Sequence, residues 1–472
     1  MTRYSLKALA LTALTGVAGC WSMAPKYERP ALPVRANFAA DNAAEQAGQQ
    51  AAQGQPAQQL PWRSFVRDGK LQKIVELALA RNRDLRKAAF NIEAARAQYR
   101  IQRAQALPSI DAIAGLTSTR TIVGPGNDTA TITAYTAGAG MATWEIDVFG
   151  RLKSLSDARL QAYFSTIETA KATRISLIAE TASAYLTLAA DRSRLAIARD
   201  TANSSKRTMD LTEQLVGGGT SNRGDVYQAE TVYQQARADI ALLTAALAQD
   251  KNALELLAGG PIDDGLMPDV LPAQLDWFVD VQAGLSSAVL LDRPDVQAAE
   301  HDLMSANANI GEARARFFPS LTLTASGGIA SATLGALFTG PAAVFTLAPA
   351  LALPLFRGGA NRANLAYTEA QKQIMIASYE QAIQTAFREV SDALATRGTI
   401  VEQLEAQVAL VEAAGKGFEL AQARYKAGVD TFLTTLISER ALYTAKSALV
   451  ATQLAVLGNR VTLYRVLGGG LQ

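Results

Sequence analysis

The chain is written twice. Asn82 to Ile110, NRDLRKAAFNIEAARAQYRIQRAQALPSI, aligns with Arg293 to Leu321, RPDVQAAEHDLMSANANIGEARARFFPSL. Trp144 to Arg151, WEIDVFGR, aligns with Leu351 to Gly358, LALPLFRG. Leu215 to Glu230, LVGGGTSNRGDVYQAE, aligns with Tyr425 to Arg440, YKAGVDTFLTTLISER, and the LELLAGG ending at Gly260 aligns with the LYRVLGGG ending at Gly470. The separation, about 210 residues, is far beyond any solenoid period, so one domain-scale unit must be built twice.

Proline placement says what the unit contains. None of the 15 prolines falls between Gly126 and Gly260, or after Pro354. Both stretches are rich in Ala, Leu, Gln, Glu, Arg and Lys, which favour helix. Gly150 to Val216 predicts a helix on the order of 100 Å long, and Arg357 to Ala427 another. Such lengths point to a coiled coil or helical tube rather than an ordinary globule.

Each half reads in one order: a helix of about 25 residues stopped by proline, two strands, a very long helix, a Gly turn and a second long helix. The strands show in alternation. Leu321, Leu323, Ala325 and Ile329 alternate with Ser320, Thr322, Thr324 and Ser326, and Phe345, Leu347, Leu351 and Leu353 alternate with smaller residues such as Thr346, Ala348, Ala350 and Ala352. Strands are expected at about 108–123, 131–149, 319–333 and 343–356. Each has about the length that spans a bilayer when tilted. Four strands cannot close, and open edges cannot sit in lipid, so the chain must associate. Three copies give twelve strands and a usable lumen. The small polar face would line that lumen and the Leu/Phe face would meet lipid.

The single cysteine, Cys20, follows a positive n-region (Arg3, Lys7) and the short apolar run Leu9 to Val17. That pattern is a secretory signal peptide, too short to span. Val17-Ala18-Gly19-Cys20 is similar to a bacterial lipobox, which implies cleavage before Cys20 and its acylation. The rival reading is ordinary cleavage that leaves a stray thiol. A net charge of +2 with 19% charged residues gives no sign of nucleic-acid binding. Residues 38–59 are Ala/Gln-rich and expected to be extended or disordered. The segment 261–292 is proline-containing and joins the halves. The expected layout is signal 1–19, anchored extended segment 20–70, first repeat 71–260, linker 261–292 and second repeat 293–472.

The lipobox, WRSF from Trp62, FGRLKS, RPDVQAAEHDL, IGEARARFFPSLTL, IQTAFREVSDAL, RYKAGVD and the terminal LGGG together resemble the outer membrane factors of tripartite efflux pumps. The resemblance is greatest to their OprM-like, lipid-anchored branch, with TolC more distant. It covers nearly the whole chain. It implies a mixed α and β fold: a trimeric, twelve-stranded outer-membrane β-barrel continued by a periplasmic α-helical barrel. It implies a periplasmic adaptor and an inner-membrane transporter of the resistance-nodulation-division type as partners, with no cofactor. Trp21 after Cys20 implies sorting to the outer membrane. Segment 261–292 would then wrap the helical barrel as a belt.

The family's gate maps to the two helix turns. Gly217, Gly218 and Gly219, and Ala427 and Gly428, fall where the adaptor docks. Leu433 falls on a gating leucine, and Ile437 falls where the family usually carries an aspartate ring. Asp225 and Lys426 resemble a charge pair that tethers neighbouring helix pairs. The residues themselves leave plainer readings open: a spacing of four is as typical of a packing stripe as of a gate, and single charges on helices are commonly just solvated. His301, the only histidine, stands alone on a helix, and no catalytic constellation stands out. Two rivals remain: a TolC-like duct serving protein secretion or several pumps, and a non-conducting periplasmic lipoprotein or adaptor. Adaptors lack duplicated helix pairs each preceded by two membrane-length strands.

Overall fold

The computed structural model describes residues 22–38, 55–56, 60–124, 128–219, 221–282, 286–339 and 342–470. The strands are β1 (Gln55–Pro56), β2 (Asp111–Ile122), β3 (Thr129–Ile146), β4 (Val281–Gln282), β5 (Ser320–Ser331) and β6 (Ala343–Ala352). The helices are α1 (Trp62–Phe65), α2 (Gly69–Arg81), α3 (Arg83–Ala104), α4 (Arg151–Gly217), α5 (Arg223–Ala258), α6 (Pro294–Ala315), α7 (Ala360–Lys426) and α8 (Phe432–Val466). Cys20, the signal segment and most of 38–59 lie outside the described residues. No described helix is long and apolar enough to cross a membrane.

The duplication is exact in length where it matters. α4 and α7 are both 67 residues. Gly219 and Gly428 both take positive φ at the turns that follow, as do Gly259 and Gly468 after α5 and α8. Each pair is 209 residues apart (428 less 219, 468 less 259). At Gly428 the turn is a Schellman motif: its N–H donates to Tyr425 O, and the Val429 N–H donates to Arg424 O. Only a residue without Cβ takes that left-handed conformation freely, so the Gly positions fix where the long helices stop.

The chain divides into two units. The first holds residues 1–31, 91–167 and 298–380. At its centre is an antiparallel sheet in the order β2-β3-β5-β6. The expected strands 131–149 and 343–356 end earlier, at Ile146 and Ala352; Leu353 and Pro354 follow the latter, and proline cannot donate to a ladder. The loop expected between the last two strands carries a 3₁₀ turn, Gly335–Leu337, with Leu337 buried.

Residues directly opposite share a face of a sheet. Leu321 lies opposite Leu351, Ala325 opposite Leu347 and Gly327 opposite Phe345. Trp144 lies opposite Leu323 and Met141 opposite Ala325. These form one apolar face. The other carries Thr117, Thr119, Thr136, Ser326, Thr322 and Thr346, with Ile113 and Ile132 among them. A bulge between Met141 and Trp144 keeps Trp144 on the apolar face. On the polar face, Gly138 lies opposite Gly328, and a Cβ on either would strike the backbone of the facing strand. That close approach is what a tightly curved strand pair needs.

A strap from the N-terminus crosses α6. Arg29 donates through Nε and Nη2 to both oxygens of Glu300, at 2.7 and 3.0 Å, and Tyr27 Oη donates to the same carboxylate at 3.0 Å. Asn307 Nδ2 donates to Pro25 O, Ala24 passes over Gly311, and the Ser22 and Ser154 hydroxyls meet at 3.0 Å.

The second unit holds residues 32–90, 168–297 and 381–472. Here segment 261–292 is knitted to the residues before α2. β1 pairs with β4, Val66 bridges Phe278, and the Val279 N–H donates to Phe65 O. Phe65 stacks on Tyr464 with ring centroids 4.0 Å apart, and Tyr464 Oη donates to Leu60 O. Asp68 caps α2, accepting from the Leu71 N–H and from Tyr185 Oη. Buried Arg293 donates to Val466 O, Asp295 and Glu389.

The glycine pair gives a sharp contrast. Gly328→Val forces a side chain into the facing strand, at a cost of about 1–3 kcal/mol or more. It is expected to abolish the folded barrel's heat-modifiable migration on gels. Gly327→Ala meets nothing within 4 Å and is expected to migrate as the native chain does.

Candidate functional site at the two helix turns

The turns after α4 and α7 sit on one small apolar cluster. Ala229 and Val232 of α5 and Phe432 and Leu436 of α8 are buried together, with Met209 of α4 and Tyr425 of α7 packed against them. Tyr425 meets Phe432 edge-on at 5.4 Å. So all four helices of the two hairpins contribute, and the turns hold one another within a single chain.

Polar bonds run from that cluster up the helices. Arg440 donates to Thr231 Oγ1 at 2.8 Å, and Tyr443 donates to Asp239 at 2.6 Å; both tie α8 to α5. Glu439, 5% exposed, accepts from Ser205 Oγ of α4 at 2.9 Å. Burial pushes its carboxyl above the usual range, opposed by the hydroxyls of Ser205 and Ser204. At the second turn, Asp430 accepts from the Thr431 N–H, Thr434 Oγ1 and Arg424 Nε. The Thr431 amide and then the Thr434 hydroxyl hold its carboxyl below the usual range.

The residues singled out from sequence fall in distinct places. Gly217 ends α4; Gly218 and Gly219 make the turn, their N–H groups donating to Gln214 O and Val216 O. Ala427 and Gly428 make the second turn. Leu433 and Ile437 are 50% and 59% exposed, next to the buried Phe432 and Leu436. They are therefore not part of this chain's packing stripe. Asp225 and Lys426 are not brought together within the chain. Asp225 accepts from Ser221 Oγ and Asn222 Nδ2, while its N–H donates to the Asn222 side chain, which caps α5. Lys426 Nζ reaches Gln422 Oε1 at 3.4 Å. Asp225 thus has a local capping task that its sequence position beside Asn222 could have signalled. Glu439, Arg440 and Tyr443 were missed, because nothing in the i,i+4 pattern of one helix names its partner on another.

Among the described residues no group of His, Cys, Asp and Glu has the makings of a metal site. His301 Nδ1 is 2.8 Å from Gln161 Oε1, and its ring lies against Phe164.

With this geometry, comparison with known proteins is informative. The family model for outer membrane efflux proteins matches residues 74–260 and 285–469, one match for each repeat. The solvent efflux pump outer membrane protein SrpC of Pseudomonas putida is 42% identical over 467 residues, covering 98% of each chain. Outer membrane protein OprJ of Pseudomonas aeruginosa is 41% identical over 464 residues, covering 98% of this chain and 95% of its own. The open state of the Neisseria gonorrhoeae MtrE outer membrane channel superposes with a TM-score of 0.84 at 36% identity, covering 96% of this chain and 99% of that one. The paired strands, the two 67-residue helices and the matched halves are those of an exit channel in the outer membrane, and the chain belongs to the outer membrane efflux protein family.

Proposed function

We propose that three copies close their sheets into one twelve-stranded barrel, and that the helix turns form the periplasmic gate of this exit duct. The observation that carries the reading is the four-stranded sheet: one face carries Phe345, Leu347, Leu351 and Trp144, and its outer strands have no further partner among the described residues. Such a sheet is stable in lipid only when copies complete it. In this reading a periplasmic adaptor meets the turns at Gly217–Gly219 and Ala427–Gly428, and a resistance-nodulation-division transporter in the inner membrane drives export. Small toxic compounds, antibiotics or solvents, are the cargo; SrpC is named for solvent efflux. Acylated Cys20 anchors the chain at its N-terminus, two residues before Ser22 joins Ser154. Cys20→Ser is expected to abolish labelling by a palmitate analogue while leaving the barrel folded.

Leu433 and Ile437 supply the constriction in this reading. Their exposure beside a buried stripe leaves them free to face the axis of an assembly. Two leucines or isoleucines from each of three copies make an apolar ring, with weaker cation binding than an aspartate ring would give. Asp225 and Lys426 act between copies, each exposed contact contributing on the order of 0.2–1 kcal/mol.

Single-channel conductance in planar bilayers tests the gate. Native protein is expected to conduct weakly. Lys426→Ala leaves the α5 cap intact, so a rise in conductance matching that of Asp225→Ala marks a lock between copies. A rise only in Asp225→Ala marks a loosened cap, and overturns the lock. Leu433→Ala with Ile437→Ala is expected to raise conductance independently of either.

Glu439 makes the turn region sensitive to pH. Its raised pKa means that the unfolded chain loses this proton first as pH rises above about 4.3. Stability contributed here is therefore full in acid and declines with rising pH until Glu439 ionises in the folded state. Glu439→Gln keeps an acceptor for Ser205 without the charge. Hydrogen exchange in the first turns of α8 is expected to quicken between pH 4 and 7 in the native protein beyond its intrinsic pH dependence, and not in the variant.

A further inference from the structure

One helix face is used differently in the two repeats. On α6 the N-terminal strap lies along Asn307, Gly311 and Arg314. Asn307 Nδ2 donates to Pro25 O at 2.8 Å, Arg314 Nη1 reaches Met23 O at 3.5 Å, and a Cβ on Gly311 would lie 2.6 Å from Ala24 N. The alignment of the halves puts Arg96, Arg100 and Arg103 of α3 at those three positions. They recur at i, i+4 and i+7, so they share one face over about 10 Å of the helix axis. All three are exposed, and none of their guanidinium groups has an ion pair or hydrogen bond among the described residues. No strap can follow the α6 path here, because Arg100 stands where glycine lets the backbone pass.

Trp144 sets the level of this face. Its side chain stands on the apolar face of the sheet, opposite Leu323, and its indole Nε1 donates to Ala106 O at 3.1 Å, three residues beyond Arg103. Tryptophan, an apolar body with one donor, is a residue of membrane–water interfaces. The arginines therefore begin within about one helical turn of the level where hydrocarbon gives way to headgroups. We propose that Arg96, Arg100 and Arg103 bind the phosphates of anionic phospholipids in the leaflet that meets the helices. A guanidinium presents a planar fork of donors that matches phosphate oxygens two at a time. The inference rests on the sheet lying in lipid and adds which lipid is held beside it.

The distribution of charge along α3 favours a membrane surface over an acidic protein. The helix mixes signs as far as Glu93, with Arg83, Asp84, Arg86 and Lys87 before it. From Ala94 to Ile110, the stretch that runs up to the sheet, it carries three arginines and no acidic residue. Positive charge thus concentrates at the end beside Trp144, as basic residues do where they meet anionic headgroups. The counterpart stretch of α6, Ser305 to Leu321, differs: it contains Glu312, which accepts from Arg316 Nε at 2.5 Å, and the strap covers its face. Within this unit only α3 offers the bare arginine face.

Trp144 is a built-in reporter. The full-length protein is reconstituted in mixed vesicles of phosphatidylcholine and phosphatidylglycerol, with one or the other lipid brominated to quench tryptophan. The part of the quenching that is lost in Trp144→Phe gives the relative affinity of the two lipids beside Trp144. The native protein is expected to favour phosphatidylglycerol by at least about fivefold. The triple variant Arg96→Gln, Arg100→Gln, Arg103→Gln is expected to be quenched equally by both lipids, and the corresponding triple lysine variant to keep most of the preference. Equal affinities in the native protein overturn the proposal. So does a preference that survives in the triple glutamine variant, which would leave the face to an acidic protein surface. Displacement of phosphatidylglycerol by inorganic phosphate at constant ionic strength also overturns it, in favour of a free anion. If the triple glutamine variant does not run as an oligomer on unheated gels, Arg103→Gln alone is expected to lower the preference severalfold, and no change there overturns the proposal. Quenching of Trp144 by neither lipid would instead overturn the placement of the sheet in the bilayer.

Discussion

Hydrocarbon offers no hydrogen bonds, and one copy of this chain has a sheet it cannot finish. β2 and β6 end the four-stranded order with no further partner among the described residues. The N–H and C=O groups on those sides must be paired before the sheet can sit in lipid, because each unpaired group costs several kcal/mol there. That requirement makes association part of folding. It also explains why one face of the sheet can be so apolar without being a liability: Phe345, Leu347 and Leu351 are exposed in the chain and at home in acyl chains.

The duplicated elements are not equally covered within one chain: α6 is buried along one side, while α3, its 22-residue counterpart, has no buried residue. Tight curvature is paid for with side chains rather than strain, at Gly138 and Gly328, where the strands approach too closely for any Cβ.

The helix turns are built differently from the region around segment 261–292 in the same unit. There Phe65 packs on Phe278 and stacks on Tyr464, and buried Arg293 bonds to Val466 O, Asp295 and Glu389. The turns rest on one compact apolar cluster, Ala229, Val232, Phe432 and Leu436 with Met209 and Tyr425 against it, and on a scatter of hydroxyl and carboxylate bonds. A region with few buried apolar contacts opens at lower free energy than its surroundings. The gate proposed above lies in that region. The buried Glu439 adds a charge that burial resists.

Much of this was legible in the residues. Proline and glycine fixed where helices could run and where they must turn, because those two residues act on their own backbone. Alternation located the strands to within a few residues, since a half-exposed strand repeats every two. The repeat was legible as self-similarity. What sequence could not supply was partnership across elements. Asp225 and Lys426 stood near each other in a family pattern, yet in the chain Asp225 holds the side chain of Asn222, the cap of α5, and Lys426 bonds within α7. Leu433 and Ile437 were a stripe of either kind until Phe432 and Leu436 took the interior. Glu439 looked like any helix carboxylate until Ser205 arrived from 234 residues away. Local propensity decides what an element is; which faces become inside, and which charges find company, depends on the three-dimensional meeting of elements that the one-dimensional pattern does not encode.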